Sequence, residues 1–171
     1  MATAYATSDV LIRPAVPQDL DVVHALHVES VLHSTAIWQS TPNTRASFDG
    51  WLAARDADGY PVLVGEVEGT VAGYVTYGPW RPHEGYRHTV EHSVYVDARH
   101  RGHGLATILM GALIEHARHD DRHVMMAGIA SENTGSIRLH ERLGFETVAV
   151  VPEVGRKFDR WLDLTMMRLG L

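Results

Sequence analysis

Apolar and polar positions change period several times along the chain, and each change marks an element. Val10, Leu11 and Ile12 make a short apolar run that stops before Pro14, which predicts a strand. Pro17 or Asp19 then opens a helix whose Leu20, Val23, Leu26 and Val31 share one face. Residues 34–44 read as a loop, either a wall of a binding site or a solvated connection. A second helix is expected from Ser47, with Phe48, Trp51 and Leu52 turned inward, ending in the turn-rich Asp56-Ala57-Asp58-Gly59. Two strands over 62–67 and 71–77 flank Glu68-Gly69, where Gly69 supplies the positive φ of a tight hairpin, so they pair antiparallel.

Residues 78–87 form a Pro- and Gly-punctuated loop. After it, Val94, Tyr95 and Val96 have strand character, and Leu105, Ile108, Leu109, Ala112 and Leu113 follow at helical spacing. A strand therefore runs into a helix. A buried strand is expected over 123–129, a short helix over 136–143 stopped by Gly144, and two last strands over 145–151 and 161–169. Strand-rich ends around a strand, helix, strand, helix middle predict an α+β fold with a mixed sheet.

A length of 171 residues with 45% hydrophobic content suits one domain, taken as residues 9–171, after a small and polar segment 1–8 expected to be disordered. The net charge of −6 argues against nucleic acid or an anionic membrane as partner, so an anionic ligand would be held by local groups. With no cysteine, disulfides, thiolate catalysis and cysteine zinc sites are excluded. No signal peptide or membrane-length apolar run is evident, which gives a cytoplasmic expectation.

The turn between the central strand and its helix reads Arg101-Gly102-His103-Gly104-Leu105-Ala106. Its glycines let backbone approach a ligand, and the N–H groups and dipole of the first helical turn attract an anion, which makes it a phosphate cradle. A Walker loop needs Gly-Lys followed by Ser or Thr, and this chain has Gly104-Leu105-Ala106 there. A dinucleotide fingerprint needs a third glycine and an acid at the end of the next strand, and neither falls into place. What is left is a loop for a pyrophosphate that is bound but not transferred.

The spacing of Arg101, Gly104 and Ala106, entered from a strand and opening a helix, resembles the acetyl-CoA signature of the GNAT superfamily of N-acetyltransferases. Asn133, Ser136 and His140-Glu141-Arg142-Leu143-Gly144-Phe145 resemble that family's second cofactor segment. More specifically, GYRHTVEHSVYV, HVMMAGI and KFDRWLDL resemble phosphinothricin and methionine sulfoximine acetyltransferases. The resemblance covers nearly the whole chain. It implies a GNAT-like, mostly antiparallel central sheet flanked by helices, acetyl-CoA as donor, a small amino-acid-like acceptor and a homodimer.

The resemblance assigns the cofactor to Val94, Tyr95, Val96, Arg101, Gly102, His103, Gly104, Leu105, Ala106, Thr107, Asn133 and Ser136. It places Glu91 as the base that takes a proton from the attacking amine, directly or through water, against the alternative of a solvated carboxylate at a strand start. Many GNAT enzymes have a tyrosine at the position of His140, so the imidazole is either the acid for the leaving thiolate or a packed residue. Family members have a bulge in this strand, which keeps His92 and Ser93 as substrate-binding candidates. Arg81 is placed to grip an acidic or tetrahedral group in bidentate fashion, with Trp80 and Tyr86 as walls. Trp161 is expected either in the core or lining the substrate.

Twelve histidines invite a metal reading, but His83 and His88 are five apart in a loop, where a zinc helix needs four, and no metal site is assigned. Acetylation of a protein N-terminus or a polyamine is the rival within enzymes. A non-catalytic CoA-binding protein is the rival outside them.

Overall fold

The computed structural model describes residues 5–171. Seven strands, β1 (Val10–Pro14), β2 (Val62–Val67), β3 (Thr70–Pro79), β4 (Thr89–Val96), β5 (Val124–Ala130), β6 (Glu146–Lys157) and β7 (Arg160–Gly170), make one sheet in the order β1-β2-β3-β4-β5-β7-β6. Every neighbouring pair is antiparallel except β4 with β5. The helices are α1 (Leu20–His33), α2 (Arg45–Ala57), α3 (Leu105–His119) and α4 (Thr134–Arg142). This is the mixed α+β sheet with flanking helices that the hydrophobic pattern predicts.

The two faces of the sheet carry different helices because successive side chains of a strand alternate sides. Leu105, Leu109, Met110 and Leu113 of α3 pack with Val75, Tyr77, Val90, Met125 and Met167 on one face. Leu20, Val23 and Leu26 of α1 pack with Phe48 of α2 and with Val62, Val64 and Tyr74 on the other. Gly73 permits the close seating of α3, since a Cβ there would lie 2.8 Å from the Tyr95 carbonyl oxygen and 3.1 Å from Leu109. The β2–β3 hairpin turns as expected, with positive φ at both Glu68 and Gly69.

Three details depart from expectation. The segment 1–8 is tied down from Tyr5 onward: Tyr5 N–H donates to the His103 carbonyl at 2.8 Å, its hydroxyl lies 2.7 Å from His100 Nδ1, and Thr7–Asp9 forms a 3-10 turn. An aromatic ring with two polar anchors opposes the entropy of a chain end. Residues 1–4 of that segment lie outside the described residues. The last hairpin is longer than the pattern suggests, because Pro152, Glu153 and Gly155, which read as strand breakers, are absorbed in a register shift between Val151 and Gly155 with Glu153 at φ 50°. Finally, β4 pairs with β3 from Gly73↔Val96 to Pro79↔Val90 without a shift. The expected bulge is absent from this pairing, so Glu91 and His92 face opposite sides of the sheet.

Candidate active site

Between β4 and β5 the sheet opens. Their parallel ladder has three pairs, Thr89↔Val124, Val90↔Met125 and Glu91↔Met126. Beyond these, β4 stays with β3 and β5 stays with β7, seven pairs each, and the two strands part. The main-chain groups of His92–Val96 that face β5 therefore lack a ladder partner, which is the condition for an extended, amide-bearing ligand to pair as another strand would. Val94, Tyr95, Gly128, Ala130, Asn133 and Ser136 line this wedge.

At the wide end lies the glycine loop. Gly102 and Gly104 adopt φ of 81° and 87°, a left-handed conformation that L side chains avoid, and Gly104 is the N-cap of α3. Thr107 and Ile108 N–H groups donate to the Gly104 carbonyl. The amides of Gly104, Leu105 and Ala106 have no acceptor among the described residues, and a Cβ on either glycine would meet nothing within 4 Å. Open space in front of unpaired helix-start amides fits a pyrophosphate. The Arg101 side chain does not face it: Nε donates to the Val96 carbonyl at 3.0 Å and Nη2 to Glu29 at 2.8 Å. Arg101 thus clamps the loop to β4 and α1. Asn133 caps α4, its Oδ1 accepting from Ser136 N–H at 3.0 Å, which leaves its amide NH₂ to offer.

His140 and His92 meet beneath β4, buried beside Phe145. His140 Nδ1 lies 2.7 Å from the Ser136 carbonyl oxygen, which can only accept, so Nδ1 carries the hydrogen. In neutral His140, Nε2 is then the acceptor, and His92 Nε2–H donates to it across 2.9 Å. His92 Nδ1 is left as a bare, buried acceptor without a protein partner. The rings are 16° from parallel with centroids 4.9 Å apart, close to the in-plane geometry of a ring-to-ring hydrogen bond. Burial keeps both neutral: it pushes His140 down and His92 down to about 3. His92 therefore does not join Glu91 on the acceptor side, as the sequence reading had it. The regular pleat turns it toward α4.

Glu91, Ser93 and Tyr95 occupy the other face. The Glu91 carboxylate leans over β5, with Oε1 3.2 Å from where a Cβ on Gly128 would stand. Loss of surrounding water raises its pKa, and the positive charge of Arg81 opposes that rise. Glu91, Trp80, Arg81, Gly128, Leu164 and Met166 line one hollow. The Arg81 guanidinium lies over the Trp80 ring, 5.0 Å from its centroid, and makes no ion pair with a described residue. Tyr86 packs edge-on against Trp80 at 5.2 Å and is 40% exposed, one step removed from Glu91. Ser93 and Tyr95 line a neighbouring cavity of about 770 Å³.

That cavity holds the residues the sequence reading missed or left open. Ile37, Gln39, Pro42, Asn43 and Thr44 line it, so the 34–44 loop is a wall, and Trp51 and Arg55 of α2 and Thr76 of β3 complete it. The loop is held from across the molecule. Lys157 Nζ, buried and without a carboxylate partner among the described residues, donates to the carbonyls of Val31 at 2.6 Å, Ser34 at 2.7 Å and Ile37 at 2.5 Å. The Trp38 ring covers Gly155, where a Cβ would come within 2.0 Å of it. A lone lysine in a strand was the available signal, but its partners are main-chain atoms with no side-chain signature. Trp161 is 60% exposed and so is not in the core.

The fold recurs in solved structures. The structure of yncA from Salmonella typhimurium with its cofactor acetyl-CoA has a TM-score of 0.93 and 48% identity, covering 95% of this chain and 94% of that one. An L-methionine sulfoximine/L-methionine sulfone acetyltransferase of Pseudomonas paraeruginosa is 52% identical over 94% of each chain. A phosphinothricin N-acetyltransferase of Streptomyces coelicolor is 34% identical over 92% of this chain and 94% of its own. Residues 23–145 match the model of the acetyltransferase (GNAT) family. The chain accordingly belongs to the GNAT family of acetyltransferases, with acetyl-CoA as its acyl donor.

Proposed function

We propose that this protein transfers acetyl from acetyl-CoA to the α-amine of a small amino acid whose side chain ends in a tetrahedral polar group: methionine sulfone, methionine sulfoximine or phosphinothricin. The observation that carries this reading is Glu91 and Arg81 in one hollow at the mouth of the β4/β5 wedge, a base beside a guanidinium that makes no ion pair with a described residue. The names of the two relatives point the same way.

Acetyl-CoA supplies an acyl group already activated for direct attack by an amine. Glu91 accepts the amine proton, and its raised pKa brings it nearer to that of the group it deprotonates. The amide NH₂ of Asn133 and the unpaired groups of His92–Val96 hold the donor's arm, and the amides of Gly104, Leu105 and Ala106 hold its phosphates. The Val96 amide, or a neighbouring one, polarises the acyl carbonyl. Over the turnover the departing sulfur takes up one proton, equal to the one Glu91 removes from the amine, and His140, which lines the wedge, is the relay through which that proton passes. Arg81 holds the tetrahedral group of the acceptor, and Tyr86 braces the Trp80 wall.

The domain spans residues 9–171 and works in the cytoplasm; among the described residues no helix is long and apolar enough to cross a membrane. Val148, Val150, Val154, Phe158 and Trp161, each more than half exposed on the β6–β7 hairpin, form the contact of a homodimer. A thiol-release screen tests the function. Methionine sulfone, methionine sulfoximine and phosphinothricin should release CoA at rates well above a polyamine or a short peptide with a free N-terminus. Preferential acetylation of the peptide or polyamine would overturn the assignment, and acetyl-CoA binding without turnover of any amine would favour a non-catalytic role.

A further inference from the structure

Arg55 crosses from α2 to β3 and stands directly over Gly78. Its Nη1 donates to the Tyr77 carbonyl at 2.7 Å and lies 1.9 Å from where a Cβ on Gly78 would stand, so only glycine leaves room for it. Gly78 pairs with Glu91 across the β3–β4 ladder. The guanidinium is therefore on the face that carries Glu91, about one strand spacing or ~5 Å to the side of the Glu91 main chain. The Trp51 and Tyr60 rings hold it at 6.0 and 5.6 Å.

Arg13, Arg45, Arg99, Arg118, Arg122 and Arg160 each reach a carboxylate. Arg55 makes no such pair with a described residue, although it borders the cavity of Ser93 and Tyr95. Burial pushes its guanidinium below the usual pKa, and the more distant charge of Asp58 only partly opposes that shift. One of its five N–H donors is used by Tyr77, and a fork suited to a carboxylate is left. Arg81 stands on the other side of Glu91, toward Leu164 and Met166 of β7. Arg55 over β3 and Arg81 toward β7 thus stand on opposite sides of Glu91, and neither makes an ion pair with a described residue.

We propose that Arg55 is a second anion subsite, one that takes the α-carboxylate of the acceptor; this rests on the reading of the protein as an amino-acid acetyltransferase. The amine of a free amino acid is one carbon from its carboxylate, so a single molecule reaches Glu91 with the first and Arg55 with the second. Its tail extends the opposite way to Arg81. A peptide N-terminus has a neutral amide where Arg55 requires an anion, and a polyamine brings further positive charge. Arg55 therefore selects free amino acids against both, by leaving its guanidinium unpaired when they bind.

The test compares pH-independent kcat/KM for methionine sulfone and for its carboxamide in wild type, Arg55→Gln and Arg55→Lys, with acetyl-CoA affinity and melting temperature recorded for each. Wild type should prefer the free acid by about 30-fold, the value of a lost charged hydrogen-bond partner. Arg55→Gln should reduce that ratio to near unity, and Arg55→Lys should retain part of it, an ammonium lacking the planar fork. Equal losses on both substrates would mean that Arg55 only builds β3, and would overturn the proposal. So would a wild type that treats acid and carboxamide alike, while the acetyltransferase reading survives. Failure of wild type to acetylate either compound would remove the amino-acid reading itself, and the subsite with it.

Discussion

The donor side and the acceptor side of β4 are put together differently. On the donor side the open amides of Gly104, Leu105 and Ala106 come from one unbroken stretch, and Asn133 adds a single N-cap. The acceptor side draws Arg55 from α2, Gly78 from β3, Arg81 from the following loop, Glu91 from β4, Gly128 from β5 and Leu164 from β7. A site made of main chain in a left-handed turn is written locally, because the turn itself demands glycine. A site made of side chains from six segments exists only once the sheet is formed. The two halves should therefore fail separately: donor-side changes should weaken acetyl-CoA binding, and acceptor-side changes should affect turnover and choice of amine.

The largest effect is expected at Glu91. Glu91→Gln should lower kcat/KM for methionine sulfone by about 10²–10³-fold, with acetyl-CoA affinity unchanged by calorimetry. The deficit should shrink at high pH, where free amine is abundant. Because its pKa is raised, the wild-type rate should fall off at higher pH than an ordinary glutamate would dictate, as the base becomes protonated. Next comes Gly104→Val. A β-branched residue at φ 87° is strained, and it places methyl groups in front of the helix-start amides, so the dissociation constant for acetyl-CoA should rise about 100-fold. The space around that Cβ is open, so circular dichroism should show the fold retained. Tight binding by the folded variant would contradict the loop assignment.

Legibility in the sequence follows the same division. The hydrophobic periods located every strand and helix, with β6 running six residues past its expected end, the glycine loop opens α3 as the pattern predicts, and Glu91 and Arg81 line one hollow. The side-chain roles of Arg101 and His92 did not follow. Arg101 sits in the signature, but its guanidinium bonds to the Val96 carbonyl and to Glu29, seventy-two residues away in sequence. His92 adjoins Glu91 in sequence and is turned from it by the regular register of β4. Arg55 and Lys157 have no motif, since their partners are main-chain carbonyls brought close by packing.

Smaller effects are expected beneath β4. His140→Asn should lower kcat about tenfold, with little change in the KM of the acceptor, if the ring pair delivers a proton late in the reaction. The same pair should mark stability. Both histidines are held neutral in the fold, while an unfolded histidine titrates near ~6.5. Below that pH the unfolded chain binds protons that the folded one refuses. The pair's contribution is complete above about 6.5 and is lost as pH falls toward the folded value, about 3 for His92. Melting temperature should therefore decline from pH 6.5 to 4, and less steeply in His92→Ser. Identical slopes would show that the pair is not what titrates.

The central claim is that the face carrying Glu91 recognises an amine together with a tetrahedral polar group. Its most direct test is the ratio of kcat/KM for methionine sulfone over methionine in wild type, Arg81→Ala and Arg81→Lys. A thioether is a weak acceptor and leaves the guanidinium unpaired, so wild type should favour the sulfone by about 10- to 100-fold. Arg81→Ala should flatten the ratio and Arg81→Lys should restore it only in part. A wild type indifferent to the two, or an alanine variant with the full preference, would contradict the account.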